Sequence, residues 1–261
     1  MRVTLGMRRI LLSLLIALTL NGCVGAETET PVALSSGVTS PDARFTVGER
    51  VFEDNFAGDL SHWTSELEKP GIVRAIDGAL EIDVPGGCTV WLKRPLSGPV
   101  LISYDATMIA AGGVNDRVSD LNCFWMARDA RSPNDLFATR RRGVFSDYDQ
   151  LRCYYVGHGG NSNTTTRFRR YIGEKGNRPL RAEHDLTAPE FLLRPNVSQN
   201  IQLVAAGSII EYFRDGNRLF SYDDPAPYTS GWFGFRTVTS HFRIRNFKIH
   251  RLVAREKVSK N

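Results

Sequence analysis

Past residue 22 the chain has almost no stretch in which apolar residues recur at helical spacing. Short alternating or apolar runs recur instead, cut by Gly, Pro, Asn and Asp. Alternation sends successive side chains to opposite faces of a strand, so such a chain folds as sheet. Candidate strands are Arg50–Glu53, Ile72–Ile76, Ala79–Asp83, Thr89–Leu92, Val100–Met108, Leu121–Ala127, Arg152–Val156, Thr165–Tyr171, Asn200–Ala205, Ser208–Arg214, Asn217–Tyr222, Gly231–Thr237 and Phe242–His250. That number exceeds a small immunoglobulin-like sandwich and predicts an all-β, two-sheet antiparallel jelly-roll sandwich. Asp77-Gly78 and Asp215-Gly216 read as hairpin turns. In the last strand Phe242 and Ile244 share one parity, and Phe247 and Ile249 the other. A bulge near Arg245–Asn246 reconciles them.

The first segment has basic residues (Arg2, Arg8, Arg9), then an apolar run, Ile10–Leu20, too short to span a bilayer core of ~30 Å. Leu20-Asn21-Gly22-Cys23 resembles the lipobox of bacterial lipoproteins, with Cys23 as the lipidated residue; plain secretion is the alternative. The expected organisation is a signal peptide over 1–22, a tether over 23–45, one jelly-roll domain over 46–252 and a tail over 253–261. The expected location is the cell envelope, lipid-anchored at the outer membrane or cell surface, or otherwise periplasmic or secreted. Contact with membrane is expected only through the lipid, and no nucleic-acid partner is expected.

The formal charge of +5 falls to +2 when the three leader arginines are removed. Residues 116–181 carry thirteen Lys/Arg against seven acids, so the centre is cationic while the rest of the mature chain is acidic. A basic centre in a near-neutral chain points to an anionic ligand. Cys88, Cys123 and Cys153 lack metal-site spacing. They read as small buried apolar residues, with one disulfide and one free thiol as the alternative.

The polar blocks lie between 115 and 171. Asn115–Trp125 contains Arg117, Asn122 and Trp125. Arg152–Asn161 contains Tyr154, Tyr155, His158 and Asn161. Thr164–Tyr171 puts Arg167, Arg169 and Tyr171 on one face of a strand. The last two blocks read as a hairpin round a Gly/Asn-rich turn. His158, between glycines, reads as an exposed loop group that other groups can approach. Trp91, Trp125 and Trp232 read as core residues, any of which can stack on a sugar; Trp125 is counted with the substrate-binding set. Arg236 and His241, near the last strand, join that set. Asp129–Gln150 is a long polar connection holding Arg140-Arg141-Arg142, of a length that is often functional.

These blocks resemble the YesU-like uncharacterised domains of the concanavalin A-like lectin/glucanase superfamily. The matching stretches are Asn115–Ala127, Tyr154–Tyr171 and Gly231–Arg251. An opening with Asp54-Asn55-Phe56, Trp63 and Asp77-Gly78 adds to them. The resemblance implies a concanavalin A-like jelly roll and a role in polysaccharide use, without a settled activity. One hydrolase pattern of that superfamily is Glu-x-Asp-x-x-Glu. Here Glu81-Ile82-Asp83 is followed by Val84-Pro85-Gly86, so the third carboxylate is missing.

Residue types then suggest β-elimination of a uronate polymer. Arg167 or Arg169, with Asn122 or Asn161, would neutralise the C6 carboxylate. His158, Tyr154 and Tyr155 would move protons. The alternatives are a non-catalytic glycan-binding lipoprotein and hydrolysis by carboxylates outside the usual pattern, such as Asp116 and Asp120. The expected partner is a polysaccharide or oligosaccharide. No cofactor is expected, apart from a structural calcium ion that an oxygen-rich loop such as Asp215–Asp224 could ligate.

Overall fold

Alternation resolves into two faces in the computed structural model, which describes residues 39–256. The expected signal peptide, Cys23 and most of the tether lie outside the described residues. The strands are β1 (Phe45–Asp54), β2 (Trp63–Leu67), β3 (Ile72–Ile76), β4 (Ala79–Leu92), β5 (Leu96–Ser97), β6 (Val100–Met108) and β7 (Leu121–Asp129). They continue with β8 (Leu151–Gly159), β9 (Thr165–Ile172), β10 (Asp185–Leu186), β11 (Ser198–Ala206), β12 (Ile209–Arg214), β13 (Asn217–Asp223) and β14 (Ser230–Ala254).

They form one antiparallel sheet that curls over on itself. The front layer runs β10-β9-β8-β7-β14-β4-β2, and the back layer runs β13-β12-β11-β6-β14-β1. β14 belongs to both. Its Trp232–Arg236 stretch pairs with β7, Phe242–Arg251 with β6, and Phe247–Ala254 with β1. Two pairs of expected strands are therefore single bent strands, β4 and β14. Pro85, which reads as a strand breaker, sits opposite Thr239 beside a register shift, where a missing N–H does little harm. Both Asp-Gly turns have the positive φ of a tight hairpin, at 52° and 66° and at 51° and 77°. Asn246, with φ 54°, marks the bulge that switches parity in β14.

The core lies between the layers. Trp125, Tyr154, Val156, Phe168 and Phe235 of the front meet Tyr104, Leu203, Tyr212 and Phe220 of the back. Phe247 of β14 contacts Phe52, Trp63, Tyr104, Phe233 and Phe235, with ring centroids 5.1–6.3 Å apart. Cys88, Cys123 and Cys153 are buried and unpaired, and burial pushes the Cys88 and Cys123 thiols up to about 12. They act as small apolar residues.

A second apolar cluster lies outside the front layer. The connection from Asp129 to Gln150, polar in composition, lays Leu136, Phe137, Phe145 and Tyr148 onto Trp91, Phe124, Tyr155, Tyr171 and Trp232. Inside this cover, buried Arg141 pairs with Glu66 at 2.9 Å and Asp129 at 3.1 Å. It also donates to the Leu136 carbonyl at 3.0 Å.

Candidate functional site

Directly paired residues of antiparallel strands lie on the same face. The pairs Asp185–Arg167, Arg167–Gly157, Gly157–Asn122, Asn122–Arg236, Arg236–Thr89 and Thr89–Glu66 therefore form one row across the outside of the front layer. The Asp129–Gln150 connection covers the neighbouring positions toward Phe124 and Tyr171. The uncovered part is a cleft of about 550 Å³ over β7, β8 and β9. Its floor is Asn122, Tyr155, Gly157, Arg167 and Arg169. Asp120, Asn161, Thr165, Phe145 and Arg178 stand around it. A β-carbon on Gly157 would lie 3.1 Å from the Tyr155 Oη, so glycine is what leaves the phenol its place on the floor.

Three guanidiniums converge here, and their partners differ. Arg167 is clasped by Asp185 at 2.8 and 2.9 Å. Arg178 donates to Asp149 at 2.6 Å and lies 4.1 Å over the Phe145 ring. Arg169, only partly exposed, donates to the Arg178 carbonyl and has no carboxylate partner among the described residues. Burial chiefly, and then the charges of Arg167 and Arg178, pull its pKa below the ordinary guanidinium value. A half-buried cation without a counter-ion is a site that an anion stabilises.

Tyr155 is the titratable floor group. Burial first, and the Asp120 carboxylate second, push its phenol up, so it stays protonated at neutral pH. Asp120 is the one carboxylate among the described residues lining the cleft. It accepts from the Ser119 hydroxyl at 2.7 Å and pairs with Arg117 at 3.3 Å. The Asn122 amide nitrogen faces Asp120 at 3.4 Å, while the amide oxygen has no partner. Asn161, Ser162 and Asn163 form a left-handed turn at the rim, with φ of 53–62°.

Five of the residues expected from sequence thus come together: Asn122, Tyr155, Asn161, Arg167 and Arg169. Arg117 stands beside them, through Asp120 and Ser162. The other five do not reach the cleft. His158 is the main correction. It is not an exposed loop group but a strand residue with no exposed surface, on the inward parity of β8. Its Nδ1 is 3.0 Å from the Tyr212 hydroxyl, and burial, reinforced by Arg214, lowers its pKa to about 3. Tyr154 also points inward, donating to Asp224 at 2.7 Å and accepting from the Tyr228 amide at 2.9 Å. Trp125 is core, packed on Tyr154 and Phe168. Arg236 is on the outer row but sealed under the loop, donating to the Gly143 carbonyl at 2.6 Å and lying 4.9 Å over Tyr148. His241 lies between Asp116 at 2.8 Å and Glu81 at 3.3 Å, away from the cleft.

Arg178, Thr165 and Phe145 are cleft residues that sequence reasoning missed. Arg178 and Phe145 lie on connections without strand periodicity, and only the fold brings them in. Among the described residues, no three His, Cys, Asp or Glu side chains stand together as a metal-holding group. Asp215 and Asp224 are engaged by Arg194 and Arg170.

A curled antiparallel jelly roll with a cleft outside one layer defines the class, and solved structures of that class superimpose on this chain. A Bacillus subtilis protein of unknown function with a galectin-like fold matches with a TM-score of 0.64 at 16% identity, covering 81% of this chain and 100% of its own. β-Agarase A from Zobellia galactanivorans matches at 0.54 and 10% identity, covering 83% and 96%. The endo-β-1,3-glucanase of Pyrococcus furiosus matches at 0.52 and 10% identity, covering 81% and 96%. At such identities the likeness is one of fold, the concanavalin A-like jelly roll. Residues 82–247 match the family model DUF6250, a domain of unknown function, and the chain belongs to that family. The comparison with curated proteins returns no match.

Proposed function

We propose that this is an exported, lipid-anchored protein that binds an acidic, uronate-containing polysaccharide in the front-layer cleft, and that the reaction its groups fit is β-elimination. The observation that carries this is Arg169, a partly buried guanidinium flanked by two others and lacking a carboxylate partner. A sugar carboxylate matches its fork in bidentate fashion. Two of the fold neighbours are an endo-β-1,3-glucanase and a β-agarase, which supports a polysaccharide as the ligand.

In the elimination, Arg169 holds the C6 carboxylate and draws charge from C5. Asp120 takes the C5 proton, the C5–H electron pair becomes the C4–C5 double bond, and the C4–O4 bond breaks. Protonated Tyr155 gives its proton to the departing O4. Hydrolysis fits less well, because it needs two carboxylates and the described lining holds one. Glu81 is no substitute: Arg74 and Arg243 pair with it, at 2.6 and 2.7 Å, and its pKa lies at about 2. A second reading, capture without turnover, is favoured by one detail. The Asp120 carboxylate is already engaged by the Ser119 hydroxyl and Arg117, so the oxygen they hold is not free to face a C5 proton.

The test incubates the full chain with acidic and neutral polysaccharides. Ultraviolet absorbance of the new double bond, reducing ends and binding are followed together. Absorbance and reducing ends rising on a uronate polymer support elimination, and binding alone supports capture. Reducing ends without absorbance overturn elimination, and binding only to neutral polymers overturns the acidic ligand.

A further inference from the structure

The Arg140-Arg141-Arg142 run is divided between two environments. Arg141 is sealed inside the loop. Arg140 is exposed and forms no ion pair among the described residues. Arg142 is also exposed, and its pair with Asp147, at 3.2 Å, is one that water weakens. These two arginines, the half-buried Phe137 ring, and Thr64 and Ser65 of β2 line a separate cleft of about 390 Å³. Among the described residues β2 pairs only with β4, and none pairs with its outer edge.

This cleft lies at the far end of the row that starts in the first one. From Gly157 the row passes Asn122, Arg236 and Thr89 to Glu66, four strand spacings or ~19 Å. The loop crosses it at Gly143, over Arg236. A β-carbon on Gly143, whose φ is 81°, would collide with the Glu68 amide and the Gly87 carbonyl. One on Gly87 would collide with the Gly143 carbonyl. Two glycines therefore let the loop pack tightly onto the sheet at the point where a ligand spanning both clefts would cross over it.

We infer that the Thr64–Phe137–Arg140–Arg142 cleft is a second subsite for the same acidic polymer, which lies across the strands with Arg169 at one end and Arg140 and Arg142 at the other. The inference rests on the acidic-polysaccharide reading of the first cleft. Phe137 offers its ring to a sugar face, and the two guanidiniums take carboxylates.

The test is calorimetric binding of the full chain to long polygalacturonate and to its purified trimer, which is too short to reach both clefts. Arg140→Ala/Arg142→Ala is expected to weaken binding of the long chain about tenfold or more, because the second contact adds avidity. Trimer binding is expected to change less than about twofold. Arg169→Ala is expected to weaken both. Equal binding of both lengths by the double variant and the wild type overturns the second subsite and leaves the first cleft standing. Loss of trimer binding in the double variant, with Arg169→Ala unaffected, overturns the order of the two sites. Polygalacturonate binding that is absent, or indifferent to all three arginines, overturns both readings for this polymer class. Circular dichroism of each variant shows that it is folded.

Discussion

Among the described residues lining the cleft, Arg169 is the one cation without a carboxylate partner. Its neighbours Arg167 and Arg178 are each tied to a carboxylate, and it is not. Groups kept for a ligand at some cost to the fold behave in a recognisable way when removed. Arg169→Leu is expected to leave the thermal midpoint unchanged or raise it, while acidic-glycan binding falls by roughly thirtyfold or more. A lowered midpoint with intact binding would make Arg169 structural. His158 belongs to the opposite category. Its folded pKa of about 3 lies below the ordinary ~6.5 of an unfolded histidine, so the unfolded chain binds the extra proton. Its contribution is therefore complete above ~6.5 and is lost as pH falls toward 3. His184 and His250 are shifted in the same direction, also by burial first. Urea titrations across this window should show a shallower loss of stability with acid for His158→Gln than for the wild type. An unchanged slope would place the proton uptake elsewhere. His158 was misread because flanking glycines signal an open turn. Its parity with Tyr154 and Val156, on the face that became core, was the better guide.

Among the elements, the Asp129–Gln150 connection shapes the site. It converts an open sheet face into two clefts, and it is fixed from inside by Arg141. Removing one member of a buried ion cluster leaves the others without compensation, at a cost of about 3–5 kcal/mol. Arg141→Leu should lower stability on that order in chemical denaturation and make Trp91 more accessible to a fluorescence quencher. A small change in both would mean that the aromatic contacts alone hold the loop. The hairpin turns and the Asn246 bulge were legible because each depends on local backbone preference. β2 was not, because Trp63–Leu67 is short, largely polar, and becomes a strand only by pairing with residues 88–92 of β4.

At the scale of the molecule, β14 couples the layers, and Phe247 stands where they meet. Phe247→Ala is expected to cost about 3–5 kcal/mol in urea unfolding, as a large cavity among aromatic rings does. A loss below about 1 kcal/mol would mean that the rings close over the gap. The back layer also carries the entry of the chain. Phe45, expected in the tether, pairs with Ala254, expected in the tail, and packs on Leu101 and Leu252. The cleft is on the outside of the other layer.

The sequence by itself determined the all-β class, most strand positions, the tight turns and the cationic centre, because alternation, turn chemistry and charge act between near neighbours. It also picked out the blocks whose Asn122, Tyr155, Asn161, Arg167 and Arg169 come together in one cleft. Tertiary structure alone decided which parity of β7, β8 and β9 faces outward. That choice separated Tyr155 from Tyr154 and sent His158 and Trp125 inside. It also buried Arg236 and Arg141 while leaving Arg169 without a carboxylate partner. Local pattern says that two faces exist; only the second layer, packing against one of them, says which is left for a ligand.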